Sequence, residues 1–399
     1  RLIFTSAVLM VIFSLFSFNT SLMFSGYDAA TYVSAAGFIA RGEIDLYRTP
    51  VYPVICNICL LLGKDNSLWL IVLVQISFFV VSVILFHKAC CLLAPHRPLV
   101  RFIAEACYSC NIAVCLWVFN LLTESLSISC VVFLCYLLVS VLKGFHTLKN
   151  AVYLGFIFLF MIFLKPYFIC FAPAVLIVIM IVSRKANTST RIAFAIGIML
   201  NLGIYLVYCH QYEKKYGIFA TNGVGVMNLS FQVKYWKKVK SFRCVKSNDF
   251  DWQWLEDKDC KSIKKLCEIT MQDWEWIEAK SLRPVCEECK QAIIDEPGKY
   301  FHTLFGCCFA SGSDIIPSHK LAKYFITNFM ICPQLPLNLW TWLLIAFIIR
   351  HLWRKRKRKV DVQVHATFAI ITVCGLFTAV AGSGFFDYGR LAMPVYPIL

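Results

Sequence analysis

Apolar runs as long as a bilayer is thick recur along the whole chain, and no other feature constrains the fold more. A helix that crosses lipid must bond its own backbone groups and needs roughly 20 apolar residues to do so. Such runs fall at 3–24, 67–93, 100–120, 121–142, 151–164, 167–183, 192–209, 338–352 and 365–383, and another begins near Ala392. With 59% hydrophobic residues, 34 Phe, a mean hydropathy of +0.68 and only 16% charged residues, the chain is too apolar for a water-soluble globule. The expectation is an all-α polytopic membrane protein with about ten transmembrane helices. The chain opens on Arg1 and stops inside an apolar run at Leu399, which reads as trimming at both ends. The first run lacks a clear small-residue cleavage site and reads as a retained helix, not a signal peptide.

Positive charge orients the spans, because short cytoplasmic loops carry the excess of Lys and Arg. Alternate loops hold His96, Arg97 and Arg101, then Lys143 and Lys149, then Arg184, Lys185 and Arg191, then the run Arg354 to Lys359. Those loops are expected on the cytoplasmic side. Residues 25–66, the turn at Asn120–Thr123, the turn at Lys165–Pro166, the segment 210–337 and Phe385–Met393 are then expected outside. The net charge of +16 and pI of 9.1 would ordinarily suggest nucleic acid. Much of the excess lies in these loops, where topology and anionic lipid account for it, so no nucleic-acid partner is expected.

Three domains are read: a transmembrane module 1–209 with its first outer loop 25–66, a soluble outer domain 210–320, and C-terminal transmembrane helices 321–399. Of 23 acidic residues, 15 fall between Glu213 and Asp314, which sets the middle segment apart from the apolar modules. It also holds Trp236, Trp252, Trp254, Trp274 and Trp276, and it is read as small and mainly helical. Its cysteines, Cys244, Cys260, Cys267, Cys286, Cys289, Cys307 and Cys308, leave two readings open. Disulfides suit an oxidising compartment, and Cys286 and Cys289 with Cys260 and Cys267 would suit structural zinc.

Charges elsewhere are few, and each needs a reason because a charged group near lipid is costly. Asp28, Asp45, Arg48, Glu124, Lys165 and Arg390 come from separate loops or helix ends, yet the topology puts them all at one water–lipid boundary. An acid with several cations there suits transfer of a sugar from a lipid-linked phosphate. Such a reaction needs a base for the acceptor hydroxyl and positive groups for the departing phosphate. Asp28 fits the first role, and Arg48, Lys165 and Arg390 fit the second. Tyr27, Asp45, Tyr52, Glu124 and Tyr388 complete the set as cavity-lining or acceptor-contacting residues.

Each residue also has a plainer reading. Asp28 can cap a juxtamembrane helix, and Arg48 can anchor the loop at lipid headgroups. Glu124 can pair with a nearby cation, while Lys165 and Arg390 can snorkel from helix ends.

The order of short motifs adds a family resemblance. An outer Asp28 after the first span is followed by Arg48-Thr49-Pro50-Val51-Tyr52-Pro53, Thr123-Glu124-Ser125-Leu126, Leu164-Lys165-Pro166 and Arg390-Leu391-Ala392-Met393-Pro394. This resembles the GT-C superfamily of integral membrane glycosyltransferases, in its protein O-mannosyltransferase-like and aminoarabinose-transferase-like branch. The resemblance implies juxtamembrane helices in the first outer loop and a polyprenyl-phosphate-sugar donor. It also implies a first-loop Asp acting as base, which Asp28 matches, and a late Arg meeting the carrier phosphate, which Arg390 matches. The acceptor would be a glycan, lipid or protein hydroxyl, the reaction inverting, and the setting a bacterial inner membrane with the site facing the periplasm or exterior. The chain carries Tyr27-Asp28-Ala29 where many relatives have two adjacent acids, and no cofactor or divalent metal is indicated. A flippase, polymerase or ligase of polyprenyl-linked glycans, or a small-solute transporter, is the alternative.

Overall fold

A computed structural model of the chain describes residues 27–109, 112–145, 147–184, 186–234 and 282–302, together with 367, 370 and 371. The regular structure of the described residues is helical, with no strand among them. The expected spans at 3–24, 338–352, 365–383 and beyond Ala392 lie almost wholly outside them, as do Tyr388 and Arg390.

The elements, in chain order, are α1 (Tyr27–Ala40), α2 (Val51–Gly63), a 3-10 turn at Lys64–Asn66, α3 (Ser67–Leu93), α4 (Pro98–Ser109) and α5 (Ile112–Trp117). Then follow α6 (Glu124–Leu142), α7 (Leu148–Leu164), a 3-10 turn at Pro166–Phe171, α8 (Ala172–Ser183) and α9 (Thr188–Tyr216). Two further helices, α10 (Val224–Lys234) and α11 (Arg283–Asp295), belong to the middle segment. Three helices, α3, α6 and α9, are long and apolar enough to cross a membrane, the mark of a membrane protein.

Local chemistry sets the boundaries. Thr147 caps α7 by accepting from the Asn150 N–H at 3.2 Å, and Asn187 caps α9 by accepting from the Thr190 N–H at 2.9 Å. Helix α9 stops at Gly217, whose φ of 80° is open to glycine without steric cost. Lys165 takes an extended backbone and Pro166 follows it, so α7 cannot run on into α8.

Helix α6 is the axis of the bundle: all of its nineteen residues are buried except Phe133 and Tyr136. Helix α3 packs along it, with Phe78 stacked between Phe133 and Phe160 at ring separations of 5.9 Å. Helix α9 lies at the edge of the described bundle, leaving Ile196, Met199, Leu200, Ile204 and Val207 exposed. It meets α7 where two glycines face each other: a Cβ on Gly155 would sit 3.5 Å from the Gly197 Cα. Asn201 donates across that seam to the carbonyl of Gly155 at 3.1 Å and to Gly197 within its own helix at 2.7 Å. Small residues and a polar side chain of this kind hold helices together where lipid offers no hydrophobic drive.

Within the apolar run at 100–120 the described residues form α4 and α5, on either side of residues 110 and 111. The Ser109 hydroxyl donates to the Glu105 carbonyl at 2.7 Å.

Candidate functional site

Successive antiparallel helices bring the first loop, the start of α6, the end of α7 and the end of α9 to one end of the bundle. The link from the first loop to α7 is the Thr49 hydroxyl, which donates to the Leu164 carbonyl at 3.2 Å. The link to α9 is made by Tyr212 and Tyr216, whose hydroxyls donate to the carbonyls of Leu46 and Ile44 at 2.7 and 2.8 Å.

Asp45 is buried and organises the loop. Its Oδ1 accepts from the N–H groups of Tyr47 and Arg48 at 2.8 and 2.6 Å, an Asx-type turn that presents the Arg48 side chain to α1. Burial raises the Asp45 carboxyl above its ordinary value of 3.8, against the opposing pull of those two backbone bonds and of the Arg48 and Lys215 charges.

Arg48 lies across α1. Its Nε donates to Thr31 Oγ1 at 2.7 Å, and its guanidinium carbon stands 4.2 Å above the Tyr32 ring. A cation over an aromatic face contributes about 0.5–2 kcal/mol, more as water is excluded. Tyr27 and Asp28 lie on the same helix. Helical register sets position 28 three and four residues before Thr31 and Tyr32, hence on the face that Arg48 crosses.

Tyr32 links this layer to the next. Its hydroxyl lies 3.3 Å from Thr123 Oγ1, and its ring meets Tyr52 edge to face at 5.0 Å. Tyr52 is fully buried beneath it and donates to Gln75 Oε1 at 2.9 Å, while Gln75 donates to the carbonyls of Val118 and Asn120 at 2.6 and 3.0 Å. Beside Thr123, Glu124 opens α6 and receives Lys165 Nζ at 2.9 Å, both side chains buried. The Lys165 ammonium also lies 5.8 Å from the Tyr167 ring centre. A pair so placed loses hydration on both charges, and the attraction between them offsets that cost.

Of the residues expected to act together, Asp45, Arg48, Tyr52, Glu124 and Lys165 form a connected cluster with Thr31, Tyr32, Thr123 and Tyr167. The pairing reading of Glu124 is the one its geometry takes. Sequence reading passed over Gln75, Tyr167 and Tyr212. A lone Gln in the apolar α3 and a Tyr directly after Lys165-Pro166 were the available signals for the first two.

The middle segment joins the first loop as well. Leu282 donates its N–H to the Tyr216 carbonyl at 2.8 Å and packs with Leu46, Tyr47 and Tyr212, and the Gly223 N–H reaches the Leu46 carbonyl at 2.8 Å. Cys286 and Cys289 stand unbridged on α11, and the other five cysteines of that segment lie outside the described residues. Among the described residues no three His, Cys, Asp or Glu side chains are grouped as metal ligands would be.

From Ile44 a groove of 750 Å³ runs along α9 past Ala195, Met199, Gly203, Val207 and Gln211. At 1.5 Å per residue the helical part spans about 24 Å.

Comparison with protein-family models, with curated proteins and with solved structures finds no match.

Proposed function

We propose that this membrane protein is a GT-C-like glycosyltransferase that moves a sugar from a polyprenyl-phosphate donor to an acceptor hydroxyl. Asp28 takes the hydroxyl proton, the oxygen attacks the anomeric carbon with inversion, and the polyprenyl phosphate departs toward Arg48, Lys165 and Arg390. Glu124 holds Lys165 charged and in place, and the donor phosphate competes with it. Tyr27, Asp45, Tyr52 and Tyr388 shape the cavity, and the middle segment helps hold the acceptor. The prenyl tail lies in the groove along α9, whose exposed Met199, Leu200 and Val207 match an apolar chain. Basic residues at the opposite end of the bundle orient the site to the periplasm or exterior of a bacterial inner membrane, with about ten spans in the whole chain.

One observation carries this reading. In a chain poor in charge, Asp45, Arg48, Glu124 and Lys165 meet at a single end of the bundle, beside the helix that bears Asp28. The test compares lipid-linked glycans in cells carrying the intact chain, Asp28→Asn or no copy. Loss of the same glycan in the second and third supports the base. Intact behaviour of Asp28→Asn, with the glycan lost only in the null, removes Asp28 from that role. A null that changes solute uptake and no glycan favours a transporter.

A further inference from the structure

At the other end of the bundle, two pairs of residues spaced one helical turn apart face each other across antiparallel α3 and α4. On α3 these are His87 and Cys91, and on α4 they are Arg101 and Glu105. His87 Nδ1 meets Glu105 Oε1 at 2.8 Å. His87 Nε2 lies 3.7 Å from Cys91 Sγ, and Arg101 Nη1 donates to the same sulfur at 3.4 Å. An ionised carboxylate only accepts, so Glu105 fixes the proton of a neutral His87 on Nδ1 and turns the Nε2 lone pair to the thiol. This is the order of nucleophile, base and orienting acid that activates a cysteine, with a guanidinium hydrogen-bonded to the same sulfur.

The surroundings indicate what such a thiol meets. Cys91 is half-buried in the last turn of a membrane-spanning helix, and on α4 Leu99, Val100, Phe102 and Ile103 are each more than half exposed. Exposed Lys88, His96 and Arg97 stand in the same few turns of chain. An apolar face beside a cluster of cations suits an amphiphile with a long acyl chain and an anionic head.

We propose that Cys91 is a self-acylation site that accepts a long-chain acyl group from an acyl thioester with an anionic head. His87 takes the thiol proton and the Cys91 sulfur attacks the acyl carbonyl. A new thioester forms on Cys91 as the donor's carbon–sulfur bond breaks, and His87 returns the proton to the leaving thiol. The acyl chain then lies along the apolar face of α4 and adds an anchor to that end of the bundle.

The experiment uses the full chain in phosphatidylcholine vesicles with palmitoyl-coenzyme A, read by intact mass before and after neutral hydroxylamine. We expect one hydroxylamine-labile acyl group per chain, kept in Cys90→Ser and absent in Cys91→Ser. His87→Gln should acylate at least tenfold more slowly while eluting as a single species with an unchanged thermal midpoint. A chain that gains no labile acyl group, a label that persists in Cys91→Ser, or a His87→Gln rate equal to that of the parent overturns the proposal.

Discussion

At the scale of single residues, the Glu124–Lys165 pair has the largest consequence for stability. Both groups are buried, so removing one takes away the other's close counter-charge, and Lys165→Met or Glu124→Gln should each cost about 3–5 kcal/mol. Replacing both with apolar residues of similar volume should recover most of that loss, as thermal unfolding in detergent would show. Asp45 behaves differently because its carboxyl sits above 3.8 in the folded chain. The folded state therefore binds that proton more tightly than the unfolded state. The stability this gives is complete below 3.8 and is lost as pH rises through the folded value. Asp45→Asn keeps the acceptor for Tyr47 and Arg48 without a charge to bury, so its midpoint should equal or exceed that of the parent at pH 7. Asp45→Ala orphans two backbone N–H groups and should lose about 1–3 kcal/mol at any pH. Charge scarcity made these residues visible in the sequence. Their partners were not, because Glu124 opens α6 and Lys165 follows α7, and the packing of those helices brings them together.

At the scale of elements, apolar length was legible and placement was not. The run at 67–93 is α3 to the residue, yet apolar length alone does not say that α6 is enclosed and that α9 lies at the edge of the described bundle. Each holds an 18-residue apolar stretch, and their neighbours decide which one is covered. The α7–α9 seam offers a test of close packing. Gly155→Ala puts a methyl at ordinary contact with Gly197 and should leave the thermal midpoint equal or raised. Asn201→Leu removes both of its donated bonds and should cost about 1 kcal/mol.

At the scale of the whole molecule, one end of the bundle gathers the first loop, the turns before α6 and after α7, and the end of α9. The described part of the middle segment docks on that loop through Leu282 and Gly223. Parity of apolar runs and loop charges made this gathering legible, since residues in alternate connections must share an end. The bonds from Tyr212 and Tyr216 to the loop were not, because they join positions about 170 residues apart, a separation that costs little more to close than a shorter one. The opposite end carries the basic connections and the Cys91 cluster, which gives the molecule two chemically distinct ends.

The most direct measurement is turnover by the purified chain in vesicles that contain the lipid-linked sugars extracted from cells lacking it. We expect one lipid-linked sugar to be consumed with release of polyprenyl phosphate, and Asp28→Asn to slow that release by about a hundredfold or more. Vesicles in which no lipid-linked sugar is consumed, or in which Asp28→Asn releases polyprenyl phosphate at the parent rate, would contradict the proposed site.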